Sequence, residues 1–169
     1  MNKRFLILLD GMTGAGKTTT TNLLSKNLPR TAIIGMDRVK RFVSDFERGE
    51  RDNKIAREVV CTLAGKYLDL GLSVIIDQPF TLEEIKTYEG LADKHSLEIF
   101  KFQIFADPEI AYSRVINRQK DKEDKVPEER IQRNISLFQK REDLGFMLID
   151  TSLLSEDEAS KVILGSVLS

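Results

Sequence analysis

Gly11, Gly14, Gly16, Lys17 and Thr18 carry the spacing G-x-x-x-x-G-K-T, directly behind an apolar run. Glycines at these steps let the backbone curl with its N–H groups turned inward, which makes a cradle for an anion. A helix opening at Lys17 would add its positive end to the same field. Lys17 is long enough to reach the β- and γ-phosphates of a nucleoside triphosphate, and the Thr18 hydroxyl can ligate Mg²⁺. Met12, Thr13 and Ala15 would line this phosphate site through their backbone alone. Thr19 is placed to touch the α-phosphate, whereas Thr20 and Thr21 are expected to pack. Asp10, just ahead of the loop, fixes its geometry, sits near the metal or simply caps the strand end.

A bound triphosphate needs something to do. "GMDRVKRF" sets Asp37 at the end of a second apolar run, where a carboxylate could take the proton of an acceptor hydroxyl as general base. If a helix starts at residue 38, Arg38, Lys40 and Arg41 lie in its first turn. Cations are unfavourable there, so the cluster would imply an anionic ligand nearby. The plainer alternative makes Asp37 a helix cap and the arginines solvated. "SVIIDQ" ends another apolar run in Asp77, which could hold a metal-bound water or meet the acceptor. Phe42, Phe46 and Phe80 could stack on a planar acceptor group, Phe80 in "DQPF" being the best placed, but core packing is the role expected first. Arg114 and Arg118 stand one helical turn apart, hence on one face, and Arg130 and Arg133 follow a polar stretch. Cations closing over the γ-phosphate as water leaves are what phosphoryl transfer needs. Residues 114–141 hold nine Lys/Arg against five Asp/Glu, an excess equally compatible with a solvated helix pair.

Short apolar runs alternate with longer helical patterns. Strands are expected at 5–10, 31–36, 72–77, 98–105 and 146–150, and helices at 17–27, 38–47, 53–70, 81–95, 107–119, 127–141 and 155–167. Asp107-Pro108 should start a helix, Thr81 and Ser155 head capping boxes, and Gly71 should end the long helix. Alternation of this kind predicts an α/β fold: a three-layer sandwich of five parallel strands with helices on both faces and a helical lid at about 114–133. With 169 residues and no linker or repeat, a single domain is expected.

The totals exclude several classes. A net charge of -1 gives no global field toward nucleic acid or membrane. No stretch is long enough to span a bilayer, and Cys61, as the single cysteine, has no internal disulfide partner. A cytoplasmic protein is the default. A guanine-reading N-K-x-D is lacking, which argues against a GTP switch; "ADKHS" at 92–96 has no asparagine. His95 is expected to be exposed and Cys61 to lie in the core.

The glycine loop, Asp37, the Arg114/Arg118 pair, "KVPEERIQR" from Lys125 and the closing "LIDTSLLSEDEASKVI" together resemble the small P-loop kinases. This group includes phage-type 5′-hydroxyl polynucleotide kinase and the zeta-toxin-like, chloramphenicol and gluconate kinases. The resemblance implies an ATP- and Mg²⁺-dependent phosphotransferase acting on a hydroxyl, with Asp37 as base. It implies Lys40 or Arg41 at an acceptor phosphate and Asp150 to Ser152 near the adenine. Lys17, Asp37, Arg114 and Arg118 are then the catalytic candidates, Arg114 also serving the nucleotide. Lys40, Arg41, Asp77 and Phe80 are acceptor-side candidates, and Thr18 and Asp77 are metal candidates. A 5′-hydroxyl nucleic-acid end is a possible acceptor that the charge does not favour. A nucleoside or nucleotide kinase, or a nucleotide-binding regulatory protein with little transfer activity, are the other readings. Oligomeric state is open.

Overall fold

The structure, a computed structural model, describes residues 4–47, 49–120 and 125–169. Its elements follow the expected alternation. They are β1 (Phe5–Gly11), α1 (Lys17–Asn27), β2 (Thr31–Gly35), α2 (Met36–Lys40), α3 (Glu50–Asp69) and β3 (Ser73–Asp77), followed by α4 (Leu82–Lys94), β4 (Glu98–Phe105), α5 (Pro108–Arg118), α6 (Glu128–Gln139), β5 (Met147–Asp150) and α7 (Glu156–Leu168). The five strands form one parallel sheet in the order β2-β3-β1-β4-β5. Every residue of β1 is buried, as the unbroken apolar run foretold for a strand covered on both faces. No described helix is long and apolar enough to cross a membrane.

The chain gathers into two compact units. One comprises the residues up to Leu9 together with Ser25–Lys101; the other comprises Asp10–Leu24 and Phe102–Ser169.

In the first unit, β3 pairs β2 from Thr31↔Ser73 to Gly35↔Asp77 and β1 from Leu6↔Val74 to Leu9↔Asp77. Leu9, Gly35 and Asp77 therefore lie level at the carboxyl ends of three strands. Ala56, Val60, Ala64 and Leu68 repeat every four residues and form the buried stripe of α3. Gly71 ends that helix in the left-handed region, at φ 79°, as a C-terminal glycine does. Thr81 and Glu84 form the capping box that opens α4. One expectation fails here. The helix foreseen at 38–47 is the five-residue α2, and Arg41–Asp45 continue as turns.

The second unit holds the glycine loop with α1, the end of β4, and α5 to α7. Asp107 accepts a hydrogen bond from the Glu109 amide and Pro108 takes the first turn of α5. Ser155 and Glu158 close the capping box of α7. The burial of Ile131 and Ile135 on α6 and of Ala111 and Val115 on α5 gives this pair an apolar seam.

Candidate functional site

The glycine loop needs each of its glycines for a separate reason. A Cβ on Gly11 would stand 2.4 Å from the carbonyl oxygen of Ile104, and one on Gly14 would stand 2.3 Å from that of Ala111. Both contacts are with backbone, which cannot give way. Gly16 has open space around it but sits at φ 94°, a conformation L side chains avoid. Close packing against β4 and α5 thus fixes the curl of the loop. Its amides are left available. The Gly11 amide donates to Asp10 Oδ1 and the Ala15 amide to the Met12 carbonyl. Among the described residues no acceptor takes the amides of Gly14, Gly16, Lys17 or Thr18. Four N–H groups at a helix N-terminus beside a lysine form a cradle shaped for phosphate.

Lys17 folds back over this cradle, its ammonium 2.7 Å from the Gly11 carbonyl and 3.3 Å from that of Met12. Thr18 is exposed, as a hydroxyl meant for a metal must be. Thr20 and Thr21 are buried and pack as expected; Thr21 donates to the Lys17 carbonyl. Among the described residues no group of three or more His, Cys, Asp or Glu could hold a metal ion. Thr18 is the residue at the head of α1 whose exposed hydroxyl could meet a metal ion.

Asp10 turns out to belong to the loop's foundation. It is fully buried, and both of its oxygens meet Arg141, at 3.1 and 2.8 Å. The same Oδ1 accepts the Gly11 amide at 2.6 Å. The sequence offered Asp10 a loop-fixing role, a place near the metal or a strand-end cap, and its bonds to the Gly11 amide and to Arg141 are those of a residue that fixes the loop. Nothing in the sequence announced Arg141, which comes from the end of α6 and lies 131 positions away in the chain.

Thr151, just past β5, is a second residue of this kind. Its hydroxyl lies 2.8 Å from the Ala15 carbonyl and 3.0 Å from that of Phe105, and its amide donates to Phe105 as well. Arg114 binds it from the other side, with Nη1 2.9 Å from the hydroxyl and Nη2 2.8 Å from the carbonyl. Ser152 accepts the Asp107 amide, and Asp150 accepts the Ser152 amide. The 150–152 segment thereby joins the glycine loop to α5. Arg114 and Arg118, expected to act together, are both exposed, and Arg114 is held by Thr151.

Arg130 and Arg133 are exposed on α6. The segment between α5 and α6 is closed at its base by the Gln119 side chain, which both donates to the carbonyl and accepts from the amide of Val126. Tyr112 on α5 donates to Glu128 on α6. Residues 121–124 of the expected lid lie outside the described residues.

In the first unit, Asp37 stands in the opening turn of α2 with its side chain 92% exposed. Lys40 reaches to within 3.5 Å of it. The helix begins at Met36, capped at Gly35, so Arg38 and Lys40 lie in its last turn and Arg41 is its C-cap. Cations are favourable at that end. The argument that this cluster must be balanced by an anion therefore falls, and so does the alternative of Asp37 as the cap.

Asp77 ends β3 half-buried, level with Gly35. Phe80 is only 3% exposed and meets Tyr88 edge to face at 5.8 Å between centroids. It is thus a core residue, the packing role that the sequence put ahead of stacking on an acceptor. His95, expected to be exposed, is largely covered and holds Nε2 3.4 Å from Asp69, while Cys61 is half-buried. Glu84 was overlooked in the sequence. Besides capping α4, it accepts from Gln78 at 3.2 Å and lies 3.4 Å from Arg57.

The comparisons agree with this geometry. Residues 6–140 match the family described as AAA domain. The chain belongs to that family. The AAA-domain match runs from β1 through the glycine loop to the end of α6 and stops just short of Arg141. No curated protein sequence matches the chain.

Among solved structures, a candidate kinase from Chloroflexus aurantiacus J-10-fl superposes with a TM-score of 0.73 at 16% identity, over 99% of this chain and 97% of that one. The tunicamycin resistance protein of Deinococcus radiodurans gives 0.68 at 14% identity, over 98% and 96%. A sugar kinase from Janibacter sp. HTCC2649 gives 0.65 at 14%, over 99% of both chains. These likenesses extend to the whole fold and bear out the resemblance to small P-loop kinases at that level.

Proposed function

We propose that this AAA-domain protein is an ATP-dependent kinase that transfers the γ-phosphate to an acceptor hydroxyl. The observation that carries the reading is the cradle: four uncommitted amides, the Lys17 ammonium and an exposed Thr18 hydroxyl at the head of α1. The kinase names borne by proteins of the same fold support the step from nucleotide binding to transfer.

In this reading the loop amides and Lys17 bind and orient the phosphates. The acceptor oxygen bonds to the γ-phosphorus as the bond to the β–γ bridging oxygen breaks, and ADP leaves with that electron pair. The hydroxyl proton passes to the Asp37 carboxylate. Magnesium, held through the phosphates and Thr18 and assisted by Asp77, neutralises charge when bound. Arg118, which is exposed and in the last turn of α5, stabilises the group in transfer. Arg114, anchored on Thr151, serves the nucleotide side. The Asp37 carboxylate is open to an acceptor hydroxyl, because it faces solvent, with the Lys40 ammonium 3.5 Å away.

Replacing Asp37 with Asn tests the assignment. ATP binding should persist while acceptor-dependent ADP release falls by about 10²-fold or more. An unchanged rate would remove Asp37 from the mechanism. Tight ATP binding with no acceptor-dependent ADP release from a broad panel of hydroxyl compounds would favour the regulatory reading. A nucleobase-specific acceptor would favour a nucleoside or nucleotide kinase.

A further inference from the structure

A pocket of about 230 Å³ opens between α2, the turns that follow it and α3, lined by Val39, Lys40, Phe42, Val43, Phe46 and Val59 among others. Its wall is almost wholly carbon, and the two charged residues on it are already engaged. Lys40 is 3.5 Å from Asp37 and 5.8 Å from the centre of the Phe46 ring. Asp52 accepts the Glu47 amide at 2.6 Å.

Three features decide what fits. The volume takes one ring or a branched aliphatic group with a short substituent. The lining has nothing to offer the several hydroxyls of a sugar, whose loss of water would go uncompensated. Nor does it offer a track of cations for a nucleic-acid backbone. Lys40 on the lining stands 3.5 Å from Asp37, whose carboxylate is exposed to solvent beside the pocket. Phe42 and Val43 are 77% and 46% exposed at the edge of this pocket, apolar surface that an apolar ligand would cover.

We infer that this pocket is the acceptor subsite, and that the acceptor is an alcohol on a compact apolar body, its hydroxyl at Asp37 and its ring or branched carbon skeleton among Val39, Phe46 and Val59. The inference rests on the kinase reading above and narrows its substrate class. Specificity then comes from excluding polar acceptors: a site without hydrogen-bond partners leaves each extra hydroxyl unpaired.

The test compares 2-phenylethanol and cyclohexylmethanol with glycerol, glucose and a 5′-hydroxyl oligonucleotide, each as acceptor for ATP-dependent ADP release. Direct binding of the two apolar alcohols is followed by NMR. The apolar alcohols should show kcat/KM values at least about ten-fold above the polyols. Val59→Phe, which fills the pocket, should raise KM for them by about ten-fold, and Val43→Gln, on its exposed wall, should do so in the same direction. Retained ATP binding shows that each variant is folded.

Phosphorylation of glucose or the oligonucleotide with no sensitivity to either variant would overturn the inference and leave the kinase reading standing. Binding of the alcohols that both variants abolish, without any ADP release, would support the subsite and defeat the kinase reading. Absence of both binding and turnover with the alcohols would overturn the inference. So would self-association of the chain that Val59→Phe abolishes, because the pocket would then serve a second copy.

Discussion

Arg141 holds Asp10 with both terminal guanidinium nitrogens, and Asp10 in turn holds the first amide of the glycine loop. The loop is thereby anchored to the end of α6 through a carboxylate that has no exposure of its own.

Removing Arg141 leaves that charge buried without its partner. Arg141→Met should cost about 3–5 kcal/mol, and the double variant with Asp10→Asn should recover much of the loss. Urea denaturation of the two single variants and the double variant checks this. A loss in the double variant equal to the sum of the two single losses would show that the pair is not coupled.

The glycines of the loop should rank by what surrounds them. Gly14→Ala drives a Cβ into the Ala111 carbonyl, and should abolish nucleotide binding or folding. Gly16→Ala meets open space and bears only the left-handed backbone cost, about 1–2 kcal/mol. Thermal melts and ATP titrations of the two variants should separate them clearly. A milder effect at Gly14 than at Gly16 would refute the packing account.

Thr151→Val keeps the shape and removes the hydroxyl. The Ala15 and Phe105 carbonyls would lose its donor and the Arg114 Nη1 its acceptor. A loss of about 1–3 kcal/mol is expected, together with weaker ATP binding. Arg114→Lys in the Thr151→Val background should add less than it does alone. Full additivity would mean that Arg114 does not act through Thr151.

Alkaline pH should unfold the first unit early. Burial pushes the Tyr88 phenol well above its ordinary range, and burial with Glu84 nearby raises the Cys61 thiol. The folded chain then keeps protons that the unfolded chain releases, so stability is complete below about pH 9 and falls as pH rises further. The urea midpoint should drop between pH 8 and pH 10.5, and Tyr88→Phe should flatten that limb. An unchanged slope in Tyr88→Phe would exclude the phenol as the cause.

The sequence by itself determined the alternation of strands and helices, the three helix starts at Thr81, Asp107 and Ser155, and the phosphate cradle. These are set by neighbours within a few positions: a side chain that caps its own helix, glycines that permit one curl, apolar runs too continuous for anything but a covered strand. The short α2 escaped because nothing local marks its end; the chain turns at Arg41 where the pattern would allow several more helical residues. That shortening removed the case for an anion beside Arg38 and Lys40. Only the tertiary structure decided which carbonyl each glycine must clear, that Arg141 answers Asp10, and that Arg114 is held by Thr151. Only it, too, decided that Phe80 belongs to the core while Phe42, Val43 and Phe46 frame a pocket. These depend on residues many tens of positions apart meeting at one place, and no local propensity carries that information.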